Sequence, residues 1–376
     1  MTTTRDVARR AGVSVGTVSA VLNRNKFVSD ELGLRVQQAI EELGYRPNLV
    51  ARSLKSGRTR AIGIIIPNIR DPYWAEIVAG IEGVARSEGY SILLFDTEED
   101  PEQEERSLQI VSQMKADGVV LVPTGDPEEG GRRVASLLLD GVSAVLLSRQ
   151  LPGVDLDAIL GDNEQASYLA TRHLLHLGYQ RVAILVYPAS TSSGEAKLGG
   201  YQRAHTEAGC TIDPQLIRFG GRPLEGSGRR EMECFLTLPG GKPDAILACT
   251  HLLVMGILQC VKDHGLRIPE DLGLVGFDDY PWSPHMQPPL TVVRQPRDQM
   301  GVMAARRLLQ RIRGEILGPG EQLRMPTDLI VRESCGCLLR RPTRGEVAPH
   351  PWGGRAARGD RAAVRRSLHR RGGGTM

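Results

Sequence analysis

No apolar run in this 376-residue chain approaches the ~20 residues that a helix needs to cross a bilayer, so a helical membrane protein is excluded. The first residues lack the basic-then-apolar leader of secreted chains, and the six cysteines are scattered, late and without the spacing of a disulfide framework. A reduced, cytoplasmic protein is expected. Catalytic signatures are missing as well. The stretch "PGGKP" has neither the spacing nor the hydroxyl of a phosphate loop, and "GSG" at 226–228 is not a nucleophile elbow. His173 and His176 lie three residues apart without an accompanying carboxylate motif, and Cys335-Gly336-Cys337 reads as a pair of free thiols rather than a ligand set. No metal, no cofactor and no catalysis are expected.

What is present is an uneven distribution of charge. Residues 1–60 carry 11 Lys/Arg against 5 Asp/Glu, and residues 338–376 carry 10 Arg against 2 acids. The 277 residues between them hold 26 basic against 37 acidic side chains, so a net charge of +3 hides a basic head on an acidic body. That is the layout of a nucleic-acid binder joined to a soluble partner domain.

The head, residues 1–46, reads as three short helices. Asp6 suits the start of the first, Gly12 its end, and Ser14 can cap the second. Val18, Val21 and Leu22 form one buried stripe at i, i+3, i+4. The third helix spans Asp30 to Leu43, with Leu34, Val36, Ile40 and Leu43 as its core. The second helix then presents Val15, Gly16, Thr17, Ala20, Asn23 and Arg24 outward, with Ser14 and Ser19 as further polar contacts, in the manner of a helix lying in a major groove. Its polar members suit phosphate contacts, whereas Val15 and Ala20 offer methyl groups and Gly16 close approach. Residues 47–60 follow, where "LVARSLK" is one to two turns of helix, too short to be stable alone. Leu54, amid Arg52, Lys55 and Arg58, has the composition of a minor-groove wedge, although packing on the neighbouring domain would account for it equally well.

The body, residues 61–337, alternates short β-branched runs (61–66, 90–95, 118–122, 143–148, 181–186, 244–249, 272–277) with amphipathic stretches (73–88, 101–115, 165–177, 198–208, 251–264). This pattern implies parallel sheets covered by helices, in two similar lobes that break near residue 160. Ligands collect at the carboxyl ends of such strands, which selects "PNIRDPYW", "SRQ", "YPASTSSGEAK", "CTH" and "FDD". The last 39 residues, 338–376, are Arg-rich, lack apolar periodicity and should be disordered.

The ordered series "TTRDVARRAGVSVGTVSAVLN", "ELGYRPNLVARSLKSGRT", "AIGIIIPN", "GDNEQASYLATRHLLHLGYQRVAIL", "LGLVGFDD", "PPLTVVRQP" and "LIVRESC" resembles the lactose-repressor (LacI/GalR) family of bacterial transcription regulators over about residues 3–337. The resemblance implies a helix-turn-helix head, a hinge helix, and a two-lobed α/β body like a periplasmic binding protein, with the lobes changing over near 160, 291 and 322. It further implies a homodimer on a pseudo-palindromic operator, with Leu54 and Lys55 of paired hinge helices opening the minor groove. Between the lobes it implies a small-molecule effector, a carbohydrate above all, held by Tyr73, Trp74, Ser148, Arg149, Ser193, Lys197, Thr250 and Asp278.

This sequence departs from the family pattern at several of these positions. Lys197 stands where an arginine is usual and lacks its bidentate fork. Ser148 replaces a frequent aspartate, Thr250-His251 the common Asn-Asp, and Pro223 falls where an aromatic often stacks. Ala20 stands where a polar base reader is frequent, so DNA selectivity should rest heavily on Leu54, the central base step and DNA shape. A solute-binding protein and a sugar-processing enzyme remain as alternative readings.

Overall fold

The computed structural model describes residues 2–23, 27–45, 58–187, 190–221 and 226–340, with only the backbone of Asn23. Arg24, the expected hinge helix with Leu54 and Lys55, Pro223, and the tail from residue 341 lie outside the described residues.

The head is α1 (Thr4–Ala11), α2 (Val15–Asn23) and α3 (Asp30–Glu42). The cap of α1 is Thr3 rather than Asp6. Thr3 accepts from the Asp6 amide, while Asp6, three positions on, takes the Thr3 N–H at 3.0 Å, which closes a capping box. Gly12 ends α1 at φ +64°, and Ser14 Oγ accepts from the Thr17 amide at 3.0 Å to start α2. Val7, Ala8, Ala11, Val18, Val36 and Ala39 form the core. Leu34, expected inside, is 63% exposed. The reason is helical phase, because Leu34 lies roughly 200° around the axis from the buried Val36, whereas Ala39 shares Val36's face.

Each lobe of the body is a six-stranded sheet between helices. The first has the order β11-β5-β4-β3-β1-β2, with every neighbouring pair parallel: β1 (Ala61–Ile66), β2 (Ser91–Asp96), β3 (Gly118–Leu121), β4 (Ser143–Leu147), β5 (Asp157–Gly161) and β11 (Gln322–Met325). The second has the order β12-β10-β9-β8-β6-β7, from β6 (Val182–Val186), β7 (Ile217–Phe219), β8 (Ala245–Ala248), β9 (Gly273–Phe277), β10 (Thr291–Arg294) and the antiparallel edge β12 (Asp328–Ile330). The pleat shows why β1 is apolar throughout. Ile62, Ile64 and Ile66 pack toward α4 (Pro72–Ser87) and α11 (Arg297–Arg313), while Ile65 meets α5 (Pro101–Gln113) and α6 (Pro127–Leu139). In the second lobe α7 (Asn163–His176) and α8 (Ser192–Glu207) cover one face. Helices α9 (Ser227–Leu236) and α10 (His251–Asp263) cover the other.

The chain changes lobe three times, between Gly161 and Asn163, between Arg294 and Arg297, and between Met325 and Asp328. Helix α11 and strand β11, late in sequence, therefore complete the first lobe. Two features fix them there. A Cβ on Gly301 would collide with the Ile77 carbonyl of α4, so only glycine permits this close approach of the two helices. Gly301→Ala is expected to cost about 1–3 kcal/mol by overpacking, read as a lower urea midpoint at unchanged slope. An unshifted midpoint would show that the helices can part freely.

The second feature is a buried carboxylate. Asp157 at the start of β5 accepts from Arg311 Nε at 2.6 Å and from the Glu321 amide at 2.9 Å, and Arg307 Nη2 lies 2.9 Å away. Burial pushes this carboxyl upward, but the hydrogen bonds from Arg311, Arg307 and Glu321 outweigh it and hold the group at about 2.

Candidate functional site

The carboxyl ends of both sheets face one another across a narrow cleft. From the first lobe, Asp71 caps α4 by accepting from the Tyr73 amide at 2.9 Å, which places Tyr73 and Trp74 on the first turn, edge to face with centroids 4.7 Å apart. Ser148 follows β4 at φ +63°, a left-handed conformation rare for a residue other than glycine. The next residue, Arg149, is buried and bidentate to Glu99, with contacts of 2.8 and 2.5 Å, and also donates to the Pro123 carbonyl at 2.8 Å.

From the second lobe, Thr191 caps α8, and its hydroxyl lies 3.1 Å from that of Ser193. One turn on, Lys197 is 7% exposed; its Nζ donates to the Cys249 carbonyl at 3.1 Å and sits 5.0 Å over the Phe277 ring. Thr250 caps α10, accepting from the Leu253 amide at 3.3 Å. Asp278 follows β9 at φ +70°, accepts from Gln295 Nε2 at 3.4 Å and lies 3.7 Å from Arg297 Nη1.

Electrostatics here follow from burial. Burial pushes the Asp278 carboxyl up to about 7, although Arg297 and Lys197 pull it down. Burial likewise lowers the Lys197 ammonium and raises the Tyr73 phenol. The arrangement offers fixed acceptors and donors at hydroxyl spacing, with no nucleophile–base pair among the residues named. The lobes also touch directly. The Gln150 amide donates to Ser192 Oγ at 2.8 Å, and Tyr280 Oη and His251 Nδ1 each lie 3.4 Å from Asp71 Oδ1. A hexose-sized molecule must therefore part the lobes to enter.

All eight residues selected from the sequence line this one cavity: Tyr73, Trp74, Ser148, Arg149, Ser193, Lys197, Thr250 and Asp278. Asp71, inside the selected "PNIRDPYW", lines it too, as do Glu99, Asn163 and Gln295, which lie outside the selected segments. Asn163 and Gln295 obey the same strand-end rule, since they follow β5 and β10, two of the strands that the sequence pattern leaves unmarked. A larger groove of about 800 Å³ lies on the outside of the second lobe, among Leu258, Leu266, Met286 and Leu339. Its walls are mainly apolar, whereas the cleft gathers convergent polar groups, the mark of a small-molecule site.

On the head, α2 exposes Ser14, Val15 (45%) and Gly16, and leaves Thr17 and Ser19 half-buried. Ala20, expected to face outward, keeps 7% exposure without belonging to the core cluster, so its methyl is a poorer candidate for base contact than that of Val15.

Residues 3–48 match the model for bacterial regulatory proteins of the lacI family, and residues 171–335 match the periplasmic binding protein-like domain. The PurR repressor of Aliivibrio fischeri is 31% identical over 315 residues, covering 83% of this chain and 92% of that protein. The ribose operon repressor of Haemophilus influenzae is 32% identical, covering 89% and 97%. The chain belongs to the lacI family of bacterial regulatory proteins. Among solved structures, the lac repressor dimer bound to operator and the anti-inducer ONPF has a TM-score of 0.76 at 27% identity, covering 89% of this chain and 99% of that one. The complex of the transcriptional regulator CelR with cellobiose has a TM-score of 0.67 at 31% identity, covering 89% and 100%. The lacI-family head and the periplasmic-binding-like body thus account for both halves of the fold. No helix among the described residues is long and apolar enough to cross a membrane.

Proposed function

We propose that this chain is a homodimeric repressor whose affinity for a pseudo-palindromic operator is set by a polyhydroxylated small molecule, a sugar or sugar derivative, bound between its lobes. The observation that carries this reading is the convergence of Tyr73, Trp74, Ser148, Arg149, Ser193, Lys197, Thr250 and Asp278, from both lobes, on one polar cavity. A ligand bridging Asp278 and Tyr73 changes the lobe angle and so the spacing of the two heads. It shifts operator binding only by its difference in affinity between the two lobe arrangements. Binding, not turnover, is the role assigned to the cleft.

On DNA, Ser14, Thr17, Ser19, Asn23, Arg24 and Lys55 serve phosphate contact and orientation. Val15 and Gly16 approach base edges, Ala20 contributes less, and Leu54 wedges the central base step. Genome-wide footprinting locates the operator, and titration of sugars into the operator complex identifies the effector. Leu54→Ala is expected to weaken binding to that operator by about 1–3 kcal/mol. Equal affinity of variant and wild type would remove the minor-groove wedge, and failure of every polyol to alter operator affinity would remove the effector reading.

A further inference from the structure

The cleft holds two buried cations of unequal availability. Arg149 presents its guanidinium fork to Glu99, whose two oxygens take both terminal nitrogens at 2.8 and 2.5 Å, and the Pro123 carbonyl takes a further bond at 2.8 Å. The edge that would clamp a carboxylate or phosphate is consumed by this pair. Lys197 has no carboxylate in ion-pair contact among the described residues; its one hydrogen bond is to the Cys249 carbonyl at 3.1 Å.

Glu99 is held in place at a conformational cost. It lies just beyond β2 at φ +59°, after Glu98 at +49°, and the Asp100 amide closes the turn on the Thr97 carbonyl at 2.8 Å. Consecutive left-handed residues other than glycine are unfavourable, so the surrounding contacts must over-determine them. The result is a carboxylate in the wall of the cavity that Ser148 and Arg149 also line.

We propose that Glu99 is a specificity-determining residue, an internal carboxylate that takes the Arg149 fork in place of a ligand anion. The first-lobe end of the cleft then accepts hydroxyl groups and rejects carboxylate or phosphate, through both occupancy of the fork and repulsion by Glu99. Any single anionic group on the effector is directed to Lys197 at the second-lobe end. The ligand class narrows to polyols that are neutral or carry one anionic group. This rests on the reading of the cleft as an effector site.

The test is calorimetric titration of the full chain with inorganic phosphate at constant ionic strength, using wild type, Glu99→Gln and the Glu99→Gln/Arg149→Met double variant. Glu99→Gln keeps the side-chain volume and should bind phosphate at least tenfold more tightly than wild type, and the double variant should lose that gain. Lys197→Met in the Glu99→Gln background should leave the gain in place. Equal phosphate affinity in wild type and Glu99→Gln overturns the proposal, as does a gain that survives Arg149→Met. If Glu99→Gln unfolds, Glu99→Asp, which shortens the carboxylate and loosens the fork, should show a smaller gain, and its absence has the same force. A failure of all sugars to affect operator binding would sink the effector reading while leaving the phosphate comparison intact.

Discussion

Asp157→Ala is expected to lower the stability of the body by about 2–3 kcal/mol, because the half-buried guanidinium groups of Arg307 and Arg311 lose their shared carboxylate, although Arg307 keeps Glu321 and Arg311 the carbonyls of Gly318 and Pro319. The loss is local in origin, since the same carboxylate takes the Glu321 amide at 2.9 Å and so anchors β11 against β5. Amide exchange should therefore accelerate first over Asp157–Gly161 and Gln322–Met325. The pH dependence has a definite sign. The folded carboxyl is held at about 2 against an ordinary 3.8, so its contribution is fully present above the ordinary value and is lost as pH falls through about 2. The gap in urea midpoint between wild type and variant should be widest at neutral pH and narrow steadily below pH 4. Equal midpoints at pH 7 would show that the cluster is screened rather than structural.

Asp278→Asn should have two effects of opposite sign. Burial, reinforced by Asp71 and Glu76, drives the wild-type carboxyl up to about 7 despite Arg297 and Lys197. A raised carboxyl favours the fold while protonated, and that advantage is lost as pH rises from the ordinary 3.8 through about 7. Asparagine cannot ionise and tolerates the left-handed backbone at this position, where φ is +70°. The ligand-free variant should therefore melt at a higher temperature than wild type from about pH 4 upward, with the difference levelling off above pH 7. The effector response should move the other way. Hydrogen bonds to a charged acceptor contribute about 1.5–3 kcal/mol, so the sugar concentration that shifts operator binding should rise by one to two orders of magnitude. A variant with an unchanged response would place the ligand elsewhere, and one with a lower melting temperature at pH 8 would show that the carboxylate is stabilised by its two cations after all.

The contrast between Asp278 and Asp157 also marks how far the sequence could be read. Asp278 ends an unbroken apolar run, "LGLVGFDD", so the strand-end rule finds it without knowledge of any partner. Asp157 interrupts "LDAILGD", which hides β5, and the residues that make its burial tolerable, Arg307 and Arg311, come 150 and more positions later. Glu99 is hidden in a different way. It sits in the acidic run "DTEEDPEQEE", which has the composition of a solvated surface, and only the folded chain brings it to Arg149. In the head, the spacing of Val18, Val21 and Leu22 marks the right face of α2, but hydrophobicity alone misleads at Leu34, whose phase on α3 points it to water. Periodicity reports which residues share a face, and it carries no information about charges paired across lobes or across long loops.

The three passages between lobes bear on the order in which the chain is made. During synthesis β1 to β5 leave the ribosome first, yet the face of that sheet bearing Ile62, Ile64 and Val120 is covered in part by Met300, Ala304 and Leu308 of α11. Its outer edge is closed only by β11. The first lobe is thus the first to be begun, yet it is finished only after β6 to β10 of the second have been made. A nascent chain halted after the second lobe's β9 would carry an open apolar sheet, at the mercy of chaperones and prone to association, while β6 to β9 had already assembled beside it.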